Sequence, residues 1–193
     1  MKRRELEPLL VELTGGDDER AEAAARQLAA AGPASLPALQ ELLASHEPDR
    51  RWWAARVLAE IADPRVLPLL LKAFGDSDRS VRQCAALGLR QRPGAEAIPA
   101  LAQALDDNDR LLAHLAADAL IANGEAAVPA LLQVMQNGPQ AARLEAVRAL
   151  AAIGDTRAIP ALFNALDEPS ALIEYWAEQG LERMGVGMMF FKP

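Results

Sequence analysis

The sequence predicts an all-α, right-handed solenoid of stacked helical hairpins, and three observations lead there. First, Pro8, Pro37, Pro68, Pro99, Pro129 and Pro160 recur at intervals of 29, 31, 31, 30 and 31 residues. From Pro37 onward each opens a P-x-L pattern, as in Pro37-Ala-Leu39, Pro68-Leu-Leu70 and Pro160-Ala-Leu162. A fixed period near thirty residues marks stacked supersecondary units rather than one globular core. Second, the chain is 51% hydrophobic but only 4% aromatic, so Leu and Ala must build the core, which suits close-packed helices better than sheet. Third, a pair of small residues followed by leucine recurs in phase: Ala54-Ala55 before Leu58, Ala85-Ala86 before Leu89, Ala116-Ala117 before Leu120, Ala146-Val147 before Leu150. Small residues let neighbouring helices approach closely, and leucine fills the gap between layers.

In chain order, a lone helix over 5–13 opens the array within a half-repeat, 1–14. Five helix pairs follow over about 17–168, then a terminal helix at 170–184 and an apolar tail at 185–193. Residues 1–193 therefore read as a single repeat domain. Within a pair the second (B) helix starts near the proline, where a missing N–H costs nothing because first-turn N–H groups lack intrahelical partners. Leu67, Leu70 and Ala73-Phe74 form the core stripe of one B helix, and Ile98, Leu101 and Ala104-Leu105 that of the next. The first (A) helix carries the small-residue pair. Asp49, Asp78, Asp109 and Ser170 stand where its N-cap is expected.

Charge and composition exclude several classes. The formal net charge of −7 disfavours a phosphate backbone, so nucleic acid is not the expected partner. A single cysteine, Cys84, permits no internal disulfide and suits a reducing compartment. No apolar run reaches membrane-spanning length, and Met1-Lys-Arg-Arg-Glu5 is not followed by the apolar stretch of a signal peptide. The expectation is a cytoplasmic protein without membrane insertion.

The repeats resemble a known family. Ile153-Gly-Asp-Thr-Arg-Ala-Ile-Pro-Ala-Leu162 follows the pattern I-G-D-x-R-A-I-P-A-L, Ile61-Ala-Asp-Pro-Arg-Val-Leu-Pro-Leu-Leu70 is a second copy, and Ser80-Val-Arg-Gln-Cys-Ala-Ala-Leu-Gly-Leu89 resembles the A helix V-R-x-x-A-A-x-A-L. This is similar to the HEAT-like repeat of the phycobilisome-lyase type, over nearly the whole chain. The resemblance implies B helices on a concave surface and A helices on a convex one. It also implies several functions: attachment or isomerisation of bilins on phycobiliproteins with a companion lyase subunit, chaperoning of those proteins, or an adaptor role without chemistry. The arginine at position 82 recurs as Arg51 and Arg143 but is replaced by Ala113 and Glu174, and this incomplete ladder reads as structural.

Two aromatic pairs fall at equivalent places, Trp52-Trp53 before Leu58 and Tyr175-Trp176 before Leu181, in a chain with three Trp, one Tyr and four Phe. Trp53 and Trp176 are expected to lean into the core. Trp52 and Tyr175 either fill wide gaps or stand at the surface, where they anchor a protein partner or stack on a bilin. The concave stripe reads Glu41, Lys72, Gln103, Gln133 and Asn164, with Leu71, Leu132 and Phe163 one position earlier. It is either a solvated face or a polar groove with apolar relief for a protein segment. Phe190 and Phe191, in Met188-Met-Phe-Phe191, either cap the last layer or insert into a partner. An acidic rim of Asp76, Asp78, Asp106, Asp107, Asp109, Asp155, Asp167 and Glu168 either attracts a basic surface or caps helices.

No catalytic constellation accompanies these features. His46 and His114 lie on different repeats, and no spacing supports a Cys–His or Ser–His nucleophile. The iron-dependent hydroxylases built on HEAT-like repeats need several His-Glu pairs, whereas His46-Glu47 is one. Cys84 beside Ala85 reads as a small buried filler. The expected function is therefore a protein-binding scaffold, adaptor or assembly chaperone with no metal and no cofactor. The alternative is one subunit of a bilin lyase or isomerase.

Overall fold

Proline decides where most of the B helices begin. In the computed structural model, which describes residues 3–186, Pro37, Pro99, Pro129 and Pro160 each lie in the first turn of a helix, directly after a 3-10 turn. There the absent N–H removes no hydrogen bond and the fixed φ suits the helix. The last residue of each 3-10 turn is small and fully enclosed: Ser35, Ala97, Ala127 and Ala158.

The helices group into two compact units. The first, up to Arg92, holds α1 (Arg3–Leu13), α2 (Asp18–Ala30), α3 (Leu36–Leu42), α4 (Pro48–Glu60), α5 (Val66–Phe74) and α6 (Arg79–Gln91). Here α4 is central, packing against α2, α3, α5 and α6. The second, from Pro93, holds α7 (Ile98–Ala104), α8 (Arg110–Asn123), α9 (Val128–Asn137), α10 (Gln140–Ile153), α11 (Ile159–Ala165) and α12 (Ala171–Arg183). Within it α10 packs against α8, α9 and α12.

The in-phase small residues form the interior. Ala54, Ala55, Leu58, Ala85, Ala86, Leu89, Ala116, Ala117, Leu120, Ala146, Val147 and Leu150 are all fully enclosed. Each such leucine contributes about 2 kcal/mol of burial. The approach is closest where glycine replaces alanine. A Cβ on Gly88 would lie 2.9 Å from Leu70 Cδ2 and 3.1 Å from Ala59 Cβ. A Cβ on Gly180 would meet Ala151 Cβ and Leu162 Cδ1 at 2.9 Å and Ala151 Cα at 3.0 Å. In the B stripes Leu70, Ala73, Phe74, Ile98, Leu101 and Leu105 are buried, whereas Leu67 and Ala104 are half-buried.

The caps need two corrections. Asp78 and Asp109 accept the N–H groups that open α6 and α8, as expected. Asp49 instead lies inside the first turn of α4, with Glu47 at the cap position but making no side-chain capping bond, because Pro48 can start the helix one residue earlier. Ser170 occupies the α12 cap position but makes no side-chain capping bond. A third correction concerns hydropathy. Residues 110–137 are helical throughout and apolar enough, by length and composition, to cross a membrane. Gly124, at φ 58° and ψ −136°, breaks this run into α8 and α9 through a 3-10 turn, a conformation that favours glycine.

Arginines tie the turns together. Arg51 on α4 donates from Nε and Nη2 to Asp76 at 2.7 and 2.8 Å, and from Nη1 to the carbonyls of Ser45 and His46 at 2.9 and 3.1 Å. Asp76 also accepts the Asp78 N–H at 2.8 Å, so one guanidinium sets both the turn before α4 and the cap of α6. Arg82 binds the carbonyls of Asp76 and Ser77, and Arg143 binds Gly138 O and Glu168. These positions are structural, as the sequence pattern indicates. Cys84 is buried, with its thiol 3.9 Å from the Trp52 carbonyl, and burial pushes its pKa up to about 12.

Two stability outcomes follow from this packing. Gly180→Ala gains helix propensity but overpacks against backbone, so it should destabilise by about 1–2 kcal/mol, more than Gly88→Ala, where a leucine terminus can yield; paired thermal melts check the order. Arg51→Ala leaves Asp76 enclosed without its cation and should cost roughly 3 kcal/mol in urea unfolding, with the Arg51→Ala/Asp76→Ala pair costing less than the sum.

Candidate binding surfaces

In the second unit the B helices α7, α9 and α11 follow one another at the repeat period, and shallow grooves run between them. The α7/α9 groove, of about 460 Å³, is floored by Ile98, Ala102, Ala130 and Val134 and edged by Gln103, Gln133 and Asn137. The α9/α11 groove, of about 360 Å³, has Leu132, Met135 and Ala161 with Gln136, Asn164 and Glu168. Four residues of the expected stripe thus line grooves: Gln103 and Gln133 in one, Leu132 and Asn164 in the other. On α9, positions three and four after Pro129 lie on either side of the exposed ridge, so Leu132 faces one groove and Gln133 the other. Met135, Gln136, Val134 and Ala161 were not anticipated. They lie within a turn of the stripe, which helical spacing would have shown.

Phe163 is half-buried on α11 and lines neither groove. In the first unit, Glu41 on α3 and Lys72 on α5 are exposed, and Leu71 is half-buried. Phe190 and Phe191 lie outside the described residues.

The aromatic pairs pack edge to face, Trp52 on Trp53 with centroids 4.9 Å apart and Tyr175 on Trp176 at 5.2 Å. Tyr175 is 50% exposed, and Trp52 is half-buried. Trp53 and Trp176 are also half-buried rather than in the core, because the alanine-lined interior has no volume for an indole. Trp52 and Trp53 together line a cleft of about 460 Å³ between the turn after α1 and the start of α4. On α12 Leu172 is exposed alongside Tyr175.

Most of the acidic rim serves the fold. Asp76 holds Arg51, Asp78 and Asp109 cap helices, Asp107 accepts the Asp109 N–H at 2.8 Å, and Glu168 pairs with Arg143 at 2.7 Å. Asp155 accepts the Arg157 N–H and its guanidinium, which also reaches Glu125 O at 3.1 Å. Asp63 and Arg65 repeat the arrangement. In both D-x-R turns the arginine side chain, then its N–H, lowers the carboxyl to about 2. Asp106 and Asp167 remain exposed. Among the described residues no group of three His, Cys, Asp or Glu could hold a metal ion.

The model for HEAT repeats matches three overlapping stretches, 6–90, 36–121 and 98–182. The chain belongs to the HEAT-repeat family. No curated protein matches it significantly in sequence. Among solved structures it is similar to an engineered protein from a structural genomics consortium, at 26% identity over 95% of this chain and 97% of that one, TM-score 0.55. It is similar to a designed armadillo repeat protein in complex with the peptide (KR)4, at 19% identity over 93% and 99%, TM-score 0.55. The complex of CpcE and CpcF of phycocyanin lyase from Nostoc sp. PCC7120 matches at 23% identity, covering 76% of this chain and 63% of that one, TM-score 0.57. The fold class is thus all-α helical repeat, shared with HEAT and armadillo solenoids, a class that generally binds proteins and peptides.

The D-x-R turns set a pH dependence. Because Asp63 and Asp155 titrate lower folded than unfolded, their stabilisation is complete above the ordinary carboxylate range and is lost as pH falls from about 4 towards 2. Melting temperature should hold between pH 7 and 5 and drop below 4, and the Asp63→Asn/Asp155→Asn variant should show a shallower drop.

Proposed function

We propose that this HEAT-repeat chain is a non-catalytic, cytoplasmic adaptor or assembly chaperone that receives an extended partner segment along α7, α9 and α11. The supporting observation is the pair of successive grooves, each with an apolar floor and amide edges. Gln103, Gln133, Asn137, Gln136 and Asn164 carry both donors and acceptors, which suits the alternating N–H and C=O groups of an extended backbone. The intervening floors of Ala102, Ala130, Met135 and Ala161 suit small or flexible apolar side chains, with Met135 able to adapt.

A second reading, a bilin lyase or isomerase subunit working with a companion on phycobiliproteins, is supported by the likeness to CpcE and CpcF and by the accessible rings of Trp52 and Tyr175. It requires a change in visible absorbance when the chain, a companion subunit, bilin and apo-phycobiliprotein are combined.

The adaptor reading is tested by selecting peptides against the purified chain from a display library and measuring them on folded variants. Leu132→Glu and Gln103→Ala/Gln133→Ala should each weaken the selected peptides about tenfold or more. Unchanged affinity in both variants would show that the grooves are not the contact.

A further inference from the structure

We propose that the cleft at Trp52 and Trp53 in the first unit is a separate site, which takes an arginine side chain from a basic protein segment. It shares no residue with the grooves of α7, α9 and α11. The cavity, about 460 Å³, lies where Thr14 and Gly16 of the first turn face the opening of α4. Two indoles form one wall, at an interplanar angle of 84°. Such rings favour a guanidinium, which stacks on the aromatic face while presenting its N–H edge to carboxylates.

The charges around the rings are matched to that occupant. Glu47 and Arg50 both line the cleft and neutralise each other at 3.0 Å. Asp18 and Asp49 also line it, and among the described residues neither forms an ion pair. The cleft thus presents two unspent carboxylates beside two indoles, with its own cation already taken. Asp18 and Asp49 lie in the first turns of α2 and α4, so rigid helices hold them.

The probe is a hexa-arginine peptide, read by tryptophan fluorescence in a Trp176→Phe background so that only Trp52 and Trp53 report. Saturable quenching or a spectral shift is expected, weakened about tenfold by Asp18→Asn/Asp49→Asn and by Trp52→Ala. Asp106→Asn/Asp167→Asn removes the same charge outside the cleft and should leave the titration unchanged. Hexa-lysine should bind more weakly than hexa-arginine, since an ammonium cannot stack. Equal losses in the two Asp→Asn pairs would reduce the effect to net charge and overturn the proposal. So would a Trp52→Ala variant, folded by circular dichroism, that binds the peptide as tightly as the parent, with binding read by calorimetry.

Discussion

Successive A helices meet across side chains little larger than a methyl group, and the rest of the molecule is arranged around that close approach. Ala54, Ala55, Ala85 and Ala86 in one unit, and Ala116, Ala117 and Ala146 in the other, are sealed from solvent. Where even a methyl would collide, glycine stands instead, at Gly88 and Gly180. Contact at this range maximises dispersion between backbones but leaves no volume for an indole between A helices. Phe74 finds room on a B helix, whereas Trp52, Trp53 and Trp176 stay half-buried and Tyr175 stands exposed. In a chain with so few aromatics, the same packing rule that makes the core also leaves these rings in reach of a partner.

Acidic residues in the turns serve the fold before any partner. Open helix starts need acceptors, and arginines entering from the neighbouring repeat need counter-charges. Asp76 does both, holding Arg51 while fixing the residue that caps α6. The D-x-R turns use the same economy, with Asp155 receiving both the N–H and the guanidinium of Arg157, which reaches back to the preceding turn at Glu125. Of the acidic residues expected to form a rim, Asp106 and Asp167 are the exposed ones, so the turns do not present a continuous acidic rim.

The repeat was legible because its determinants act locally. Proline constrains its own φ, alanine its own radius, and both recur in phase, so Pro99 or Ala116 could be placed without knowing any long-range contact. The grooves were half legible: Gln103, Gln133, Leu132 and Asn164 follow from counting after the proline, and Met135 and Ala161 lie within a turn of that stripe, but which residues share a groove depends on the neighbouring helix. The expectation that Trp53 and Trp176 enter the core failed because periodicity records which way a residue points but not how much room it finds. The tryptophan cleft was invisible for a different reason. It joins Thr14 and Gly16 to Trp52 across more than thirty positions, and the turn that unites them leaves no periodic trace.

The enclosure of Cys84 has a practical side. The chain carries one thiol, packed against the Trp52 carbonyl and held protonated well above neutral pH by its surroundings. A thiolate is the form that reacts with maleimides, so the Cys84 thiol should react slowly with them while the chain is folded. A cysteine introduced at Gln133 or Asp49 would then be the one readily addressable thiol. The protein's own thiol leaves the background low for a fluorophore or spin label at either surface.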